Sequence, residues 1–191
     1  MSVNKSDETK QMKNLGINDG CKLEVKDIEL VETFKCTGQE LYNALTQKEM
    51  IQVFTGGEVK VKYNTKLENF LLNFWDFSNN SLDILIFYIC FIKMTEAKKG
   101  EKFEMIGGNV QGSFIDLVPF TKIVQKWRLK SWPDGYYAHV EINIKQSNED
   151  TKLNLKVSQV PEKEVENTKM GWRRYYFESI KRVFGFGSSL F

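Results

Sequence analysis

Consecutive segments between Phe103 and Val157 alternate apolar and polar residues with the two-residue period of a half-buried β-strand. In the clearest segment, one side carries Ile123, Gln125, Trp127 and Leu129, and the other carries Lys122, Val124, Lys126, Arg128 and Lys130. Clusters of turn-forming residues separate the segments, namely Gly107-Gly108-Asn109, Trp132-Pro133-Asp134-Gly135 and Ser147-Asn148-Glu149-Asp150. Strands joined by such short loops are antiparallel neighbours, so the pattern predicts an antiparallel meander.

One long amphipathic stretch follows the meander and begins at Pro161. The residues that recur along it at three- and four-residue spacing, as on one face of a helix, are Val165, Lys169, Trp172, Tyr176, Ile180 and Val183 or Phe184. Gly185 and Gly187 are placed to end a helix, and this helix is the natural cover for the apolar face of the sheet. Gly171 in its interior costs about 1 kcal/mol relative to Ala, and we expect a close approach to the sheet to compensate for it.

A further strand is predicted before the meander, over Ile28–Phe34. The apolar residues Leu23 and Val25 fall on the opposite side of the strand from Ile28. A bulge near Lys26-Asp27 would bring both sets to the same side. The row of alternate residues that begins at Ile28 and ends at Phe34 contains one charged residue, Glu32.

Two short helices are predicted after that strand. Thr37–Glu40 and Thr46–Glu49 each place Thr at an N-cap and Glu three residues later, which is the capping-box pattern. Gly56-Gly57 would end the second helix.

Composition excludes several classes of function. Lys and Arg number 27 against 25 Asp and Glu, so the net charge of +2 disfavours a nucleic-acid partner. A single histidine, His139, excludes a two-His zinc site, and Cys21, Cys36 and Cys90 form no C-x-x-C pair. No spacing brings two carboxylates together for acid/base chemistry. We therefore expect no metal, no cofactor and no enzymatic activity.

The chain of 191 residues has the length of one domain with flanking segments. Residues 1–21 are predicted to form a flexible polar tail without a secretory signal, and residues 22–191 to form the domain. The most apolar run, residues 82–92, is far shorter than the ~20 residues of a membrane-spanning helix. We expect a cytosolic monomer that has no contact with membranes.

Several long blocks carry a resemblance to a known family. They are GNVQGSFIDLVP (Gly108 to Pro119), IVQKWRLKSWPDG (Ile123 to Gly135) and GWRRYYFESIKRVFGFG (Gly171 to Gly187), with ETF (Glu32 to Phe34) and ELY (Glu40 to Tyr42) before them. In this order they resemble the C-terminal domain of the activator of 90-kDa heat-shock protein ATPase family. The resemblance implies an α+β fold of the START-like helix-grip type, in which a curved antiparallel sheet wraps around a long C-terminal helix.

The resemblance is interrupted at about residues 59–93, a segment without Pro or Gly. A retained intron translated in frame and a genuine insertion are both compatible with its composition, and the sequence leaves the two open. Sequencing of cDNA distinguishes them, because a dominant transcript that encodes this segment excludes the intron.

The family resemblance implies a co-chaperone-type domain that binds the N-domain region of the 90-kDa heat-shock chaperone and promotes its closed, ATPase-competent state. Full stimulation is expected to need the family's N-terminal domain, which this sequence does not include. The alternative function is a helix-grip protein that binds a lipid or a small hydrophobic molecule between the sheet and the helix.

The candidate partner-binding residues are Lys126, Arg128, Lys130, Trp132, Arg173, Arg174 and Lys181. We hypothesise that the outward row Lys126, Arg128 and Lys130 forms a basic surface for an acidic partner, with Lys152 and Lys156 on a strand predicted nearby. A solvated sheet face is the better explanation of any one of these residues. Trp132 beside the Pro-Asp-Gly turn is expected to be an exposed interface anchor. Trp127, Trp172 and Tyr176 are expected to lie in the core.

Overall fold

The computed structural model describes residues 23–61 and 97–187. The predicted tail and most of the predicted insertion at about 59–93 lie outside these residues. The strands are β1 (Val25–Phe34), β2 (Lys60–Val61), β3 (Lys102–Met105), β4 (Val110–Val118), β5 (Lys122–Leu129), β6 (Ala138–Gln146) and β7 (Thr151–Pro161). The helices are α1 (Gly38–Thr46), α2 (Lys48–Thr55), a 3-10 turn (Glu162–Glu164), α3 (Val165–Gly171), a π-helical segment (Trp172–Glu178) and α4 (Ser179–Phe184).

The seven described strands form one sheet in the order β1-β7-β6-β5-β4-β3-β2, and every neighbouring pair is antiparallel. The predicted meander from β3 to β7 is therefore confirmed. β1 pairs with β7, which joins the first described strand to the last. The predicted irregularity in β1 is also confirmed, since the register shifts between Lys26 and Ile28.

The elements from Glu162 to Phe184 run on without a break, and we call them the C-terminal helix. This helix packs on one face of the sheet, which we call the inner face. Trp172 lies at the centre of the contact, with its ring centroid 5.8 Å from that of Trp127 and 4.1 Å from that of Tyr176. The expected core positions of these three residues are confirmed because each is buried. The architecture is the predicted helix-grip fold.

A π-helical segment in the middle of the C-terminal helix was not predicted. A π-helical turn places the hydrogen-bond acceptor five residues back and so widens the helix locally. As a result Tyr176 and Phe177, which are adjacent in sequence, are both buried against the core. A regular 3.6-residue period does not anticipate two consecutive inward residues at this point.

The second predicted capping box is wrong. Helix α1 continues through Thr46, whose buried hydroxyl donates to the carbonyl oxygen of Tyr42 at 2.8 Å. The N-cap of α2 is instead Gln47, which makes no side-chain capping bond. The box at Thr37 and Glu40 is confirmed, with both reciprocal hydrogen bonds formed.

Gly171 also departs from expectation. A Cβ added at this position would meet no atom within 4 Å outside its own helix, so the glycine does not allow a close approach to the sheet. Within the sheet, close packing does require a glycine at Gly112 of β4, where an added Cβ would overlap the carbonyl oxygen of Lys126 and the ring of Phe103.

Candidate partner-binding surface

The outer face of the sheet, opposite the C-terminal helix, carries the candidate basic residues of β5. Lys126 is exposed and lies between Ser113 on β4 and His139 on β6 in the strand register. Lys130, just past the end of β5, is also exposed. Neither amine has an ion-pair or hydrogen-bond partner among the described residues. Both lysines can therefore meet an acidic group of another molecule.

Other lysines of the same face are already paired within the chain. Lys122 Nζ lies 3.2 Å from a carboxylate oxygen of Glu141. Lys156 Nζ lies 3.4 Å from Glu29 and 3.9 Å from Asp27. Their charge is balanced locally, which makes them weaker candidates for a partner.

Lys152, predicted near the basic row, forms a like-charge pair with Lys145, which was not predicted to be part of this surface. They are directly opposite each other on β6 and β7, an arrangement that is unfavourable between like charges. Both are exposed, and neither has an ionic partner in the described part of the chain. The turn between them contains Glu149 and Asp150, whose negative charges offset part of the positive field. The signal was present in the sequence, because both lysines lie on the polar side of strands joined by a four-residue turn.

Arg128 is not part of the exposed surface, contrary to expectation. Only 6% of the residue is accessible, because the loop after β5 folds over the guanidinium. Its Nη2 donates to the carbonyl oxygen of Trp132 at 2.5 Å and lies 3.3 Å from a carboxylate oxygen of Asp134. The guanidinium carbon Cζ of Arg128 also lies 5.9 Å from the centroid of the Tyr137 ring. Arg128 therefore holds the loop in place.

Trp132 is buried as well, so the expectation of an exposed anchor is wrong. It is 3% accessible, and its ring packs at a centroid distance of 5.4 Å against Trp127. Tyr136, 6.1 Å away, covers it from the far side of the turn. The hydrogen bond from Arg128 Nη2 to the carbonyl oxygen of Trp132 holds the backbone at this position. The side chain of Trp132 then points into the core.

The three helical candidates differ from one another. Arg173 and Arg174 are exposed on the C-terminal helix, across the sheet from Lys126 and Lys130, so the four residues do not form one continuous patch. Lys181 instead makes an ion pair with Glu32 of β1, with an Nζ to oxygen distance of 2.5 Å. This pair explains why a carboxylate occupies the otherwise apolar inner row of β1.

The C-terminal helix borders a small void at the centre of the core and a cleft of about 210 Å³ towards the β3–β4–β5 end of the sheet. The void, next to Trp172 and Tyr176, measures about 10 Å³, which is room for at most one water molecule. No cluster of metal-ligating side chains occurs within residues 23–61 and 97–187. In the same ranges no helix is long and apolar enough to cross a membrane.

These features define a START-like helix-grip domain with a filled core and a charged outer sheet face. The family described as "Activator of Hsp90 ATPase homolog 1-like protein" matches residues 35–185. The chain belongs to this family, as the resemblance in the sequence indicated.

Relatives and solved structures agree with this assignment. The human protein "Activator of 90 kDa heat shock protein ATPase homolog 1" is 36% identical over 172 residues, which are 90% of this chain and 41% of the human protein. The "Hsp90 co-chaperone AHA1" of Saccharomyces cerevisiae is 36% identical over 92 residues, covering 47% of this chain and 26% of the yeast protein. The crystal structure of an HSP90 activator from Plasmodium falciparum superimposes with a TM-score of 0.63 at 21% identity, covering 85% of this chain and 98% of that one.

The chain spans less than half the length of the curated relatives it matches. The match to the Plasmodium structure, at 21% identity, establishes the shared fold.

Proposed function

We propose that this chain is a co-chaperone module that binds a 90-kDa heat-shock chaperone in its N-domain region and favours the closed, ATP-competent state. The family match over residues 35–185 carries the proposal, because relatives across that region are described as activators of this chaperone's ATPase. The chaperone would hold the catalytic groups, and this cytosolic module would contribute binding energy alone.

The mechanism requires unequal affinity for two states. A partner shifts a conformational equilibrium only by as much as its binding free energies to the two conformations differ. The module would therefore bind the closed chaperone more tightly than the open one.

We assign the contact on this side to Lys126 and Lys130. Both amines are exposed and unpaired in the described structure, and the cross-strand neighbours of Lys126 are Ser113 and His139. Lys145 and Lys152 are equally exposed, but Glu149 and Asp150 lie in their turn. The positive field at Lys126 and Lys130 is thus less compensated, and electrostatic complementarity chiefly affects association rate and specificity.

The binding test is calorimetric titration of the full chain into purified 90-kDa chaperone, with and without a non-hydrolysable ATP analogue. We expect a complex in both conditions and tighter binding with the analogue. Equal affinities would refute the closed-state mechanism, and the absence of any complex would refute the function itself.

The surface test compares two charge-reversed double variants. Lys126→Glu with Lys130→Glu should weaken binding about tenfold or more. The matched control, Lys145→Glu with Lys152→Glu, makes the same change in net charge at the other end of the same sheet face and should weaken it much less. Exposed substitutions of this kind usually change stability by under about 0.5 kcal/mol each, so both variants should unfold near the wild-type temperature. Equal losses in the two variants would mean that overall charge, and not this patch, governs binding.

A further inference from the structure

The solvent side of the C-terminal helix carries two large apolar side chains next to two arginines. Met170 is 61% accessible and Tyr175 is 50% accessible. Arg173 and Arg174, which lie between them in sequence, are also exposed. We call these four residues the helix face. Single exposed apolar residues are common on proteins, but methionine, arginine and aromatic residues are the types that are enriched in protein–protein interfaces.

The backbone of the π-helical segment places these residues together. Arg173, Arg174 and Tyr175 are three consecutive exposed residues of that segment, and the residues on either side of the three are buried. Met170 precedes the two arginines by three and four positions, the spacing at which helical side chains are neighbours. π-helical turns occur frequently at functional sites. The wider turn thus presents a continuous basic and apolar surface to solvent.

The positive charge of the helix face is not balanced within the described ranges. Neither arginine has an ion-pair partner among the residues of those ranges. Glu166, one turn before Met170, forms its ion pair with Lys169 at 2.8 Å. Glu178, at the end of the π-helical segment, forms no ion pair with either arginine. Two adjacent positive charges repel each other, and a negatively charged partner would remove that repulsion.

Arg174 and Tyr175 restrict each other before any partner binds. The guanidinium carbon of Arg174 lies 5.8 Å from the centroid of the Tyr175 ring, within the range of a cation–π contact. Restricting two long side chains in advance lowers the ordering cost of binding. The planar guanidinium also matches the two oxygens of a carboxylate, with which it can form two parallel hydrogen bonds.

We propose that the helix face binds an acidic segment of another protein, in which carboxylates flank an aliphatic or aromatic side chain. The carboxylates would pair with the two arginines, and the apolar side chain would lie against Met170 and Tyr175. Charge complementarity selects this class of partner, because the same basic face of a second copy would be repelled. The helix face lies across the sheet from Lys126 and Lys130. The site is therefore additional to the surface assigned to the chaperone.

Three peptides of about 15 residues test the chemistry of the helix face. The first combines Glu with Leu and Phe, the second has Ser in place of Leu and Phe, and the third has Lys in place of Glu. In NMR titrations of the full chain, we expect the first peptide to shift the amide signals of Met170 and Tyr175 saturably, with a Kd below about 1 mM. The serine peptide should bind about tenfold more weakly, and the lysine peptide should not bind. No saturable shift with the first peptide, or equal binding of the first peptide and either of the others, would overturn the proposal.

Charge reversal locates the site. Arg173→Glu with Arg174→Glu should weaken binding of the first peptide about tenfold or more. The matched control, Lys145→Glu with Lys152→Glu, makes the same change in net charge on the outer face of the sheet and should weaken binding much less. Equal losses in the two variants would overturn the assignment to the helix face.

A second variant removes the apolar part of the helix face and keeps its charge. Met170→Gln with Tyr175→Gln should lower the affinity for the first peptide toward that for the serine peptide. Both positions are exposed, so this variant should remain folded. An unchanged affinity for the first peptide would overturn the proposal, and this variant decides the question if the charge-reversed helix variant does not fold.

Two further measurements separate this site from other surfaces. The peptide titrations contain no chaperone, so their outcome is independent of the proposed function. In calorimetry, Arg173→Glu with Arg174→Glu should bind the 90-kDa chaperone as the wild type does, and a parallel loss of chaperone affinity would overturn a separate partner. Binding to vesicles of phosphatidylserine and phosphatidylcholine without binding to the first peptide would assign the helix face to a membrane and would also overturn the proposal.

Discussion

At the scale of single residues, Arg128 and Trp132 hold each other in their buried positions. The guanidinium donates to the carbonyl oxygens of Trp132 and Lys130, and the indole packs against Trp127 beneath the same loop. The planar guanidinium of an arginine holds its five donors in a fixed geometry, whereas the three donors of a lysine lie on one nitrogen at the end of a flexible stem. The pair thus converts a loop after β5 into a structural part of the core.

Replacing Arg128 tests this structural role. Arg128→Ala should lower the free energy of unfolding by about 2–3 kcal/mol, because buried carbonyl groups lose a charged donor. Arg128→Lys should recover only part of that loss. Urea unfolding followed by tryptophan fluorescence measures both.

The control for this prediction is Lys126→Ala, two residues earlier on the same side of β5. Lys126 is exposed and unpaired in the described structure, so its loss should change stability by under about 0.5 kcal/mol. An effect of Arg128→Ala as small as that of the control would show that the loop does not depend on the guanidinium.

At the scale of elements, the start of α1 depends on a single capping box. The Thr37 amide donates to Glu40 Oε2 at 2.7 Å, and the Glu40 amide donates to Thr37 Oγ1 at 3.2 Å. These bonds satisfy two amides that the helix cannot satisfy itself. The hydrogen bonds from the backbone and side chain of Thr37 lower the pKa of Glu40 below its ordinary value of 4.5.

Removing the cap should weaken the fold at neutral pH. Thr37→Ala should cost about 1 kcal/mol of stability, measured by chemical unfolding at pH 7. Thr33→Ala, at an exposed position of β1, serves as the matched control. A loss in Thr37→Ala no larger than in that control would contradict the role of the cap.

The same box should make stability depend on pH. Because folding lowers the pKa of Glu40, its charge stabilises the native state above about pH 4.5, and this contribution disappears as pH falls through the lower folded-state pKa. The difference in stability between wild type and Glu40→Gln should therefore be present at pH 6 (about 1.5 units above that value) and vanish in strong acid. A difference that is constant with pH would contradict this assignment.

At the scale of the whole molecule, the sheet and the C-terminal helix share one core. Trp172 contacts Trp127 of β5 and Phe177 of its own helix, and Phe177 packs edge-on against Phe34 of β1 at 6.1 Å. The hydroxyl of Ser179 donates to the carbonyl oxygen of Phe54, which ties α2 to the same helix. Aromatic packing through one helix therefore links β1, at one edge of the sheet, to β5 in its interior.

Truncation of Trp172 should weaken the whole domain. The side chain is 1% accessible, so Trp172→Ala should lower stability by about 3–5 kcal/mol. Calorimetry should show one transition at lower temperature, since the helix and sheet should still unfold together. Met170→Ala, on the exposed side of the same helix, should change the midpoint little. A second, separate transition in Trp172→Ala would mean that helix and sheet do not form one cooperative unit.

Local patterns in the sequence determined the elements and their order. The alternation from β3 to β7, the bulge near Lys26 and the cap at Thr37 all follow from periods and spacings within a few residues, because strand pleat and helix pitch impose them locally. The exposure of Lys126 and Lys130 followed from the same alternation. The family blocks from Gly108 onward supplied the fold and the expected partner.

Tertiary structure alone decided which of the candidate residues are accessible to a partner and which are buried or paired within the chain. Arg128 has the alternation of an outward residue, yet a loop whose path depends on packing against Trp127 covers it. Lys181 forms an ion pair with Glu32, which is 149 residues away in sequence. The π-helical segment places both Tyr176 and Phe177 on the inner side of the helix. Gly171, expected to lie against the sheet, borders a cleft instead. These outcomes depend on contacts between distant segments, and no local period encodes them.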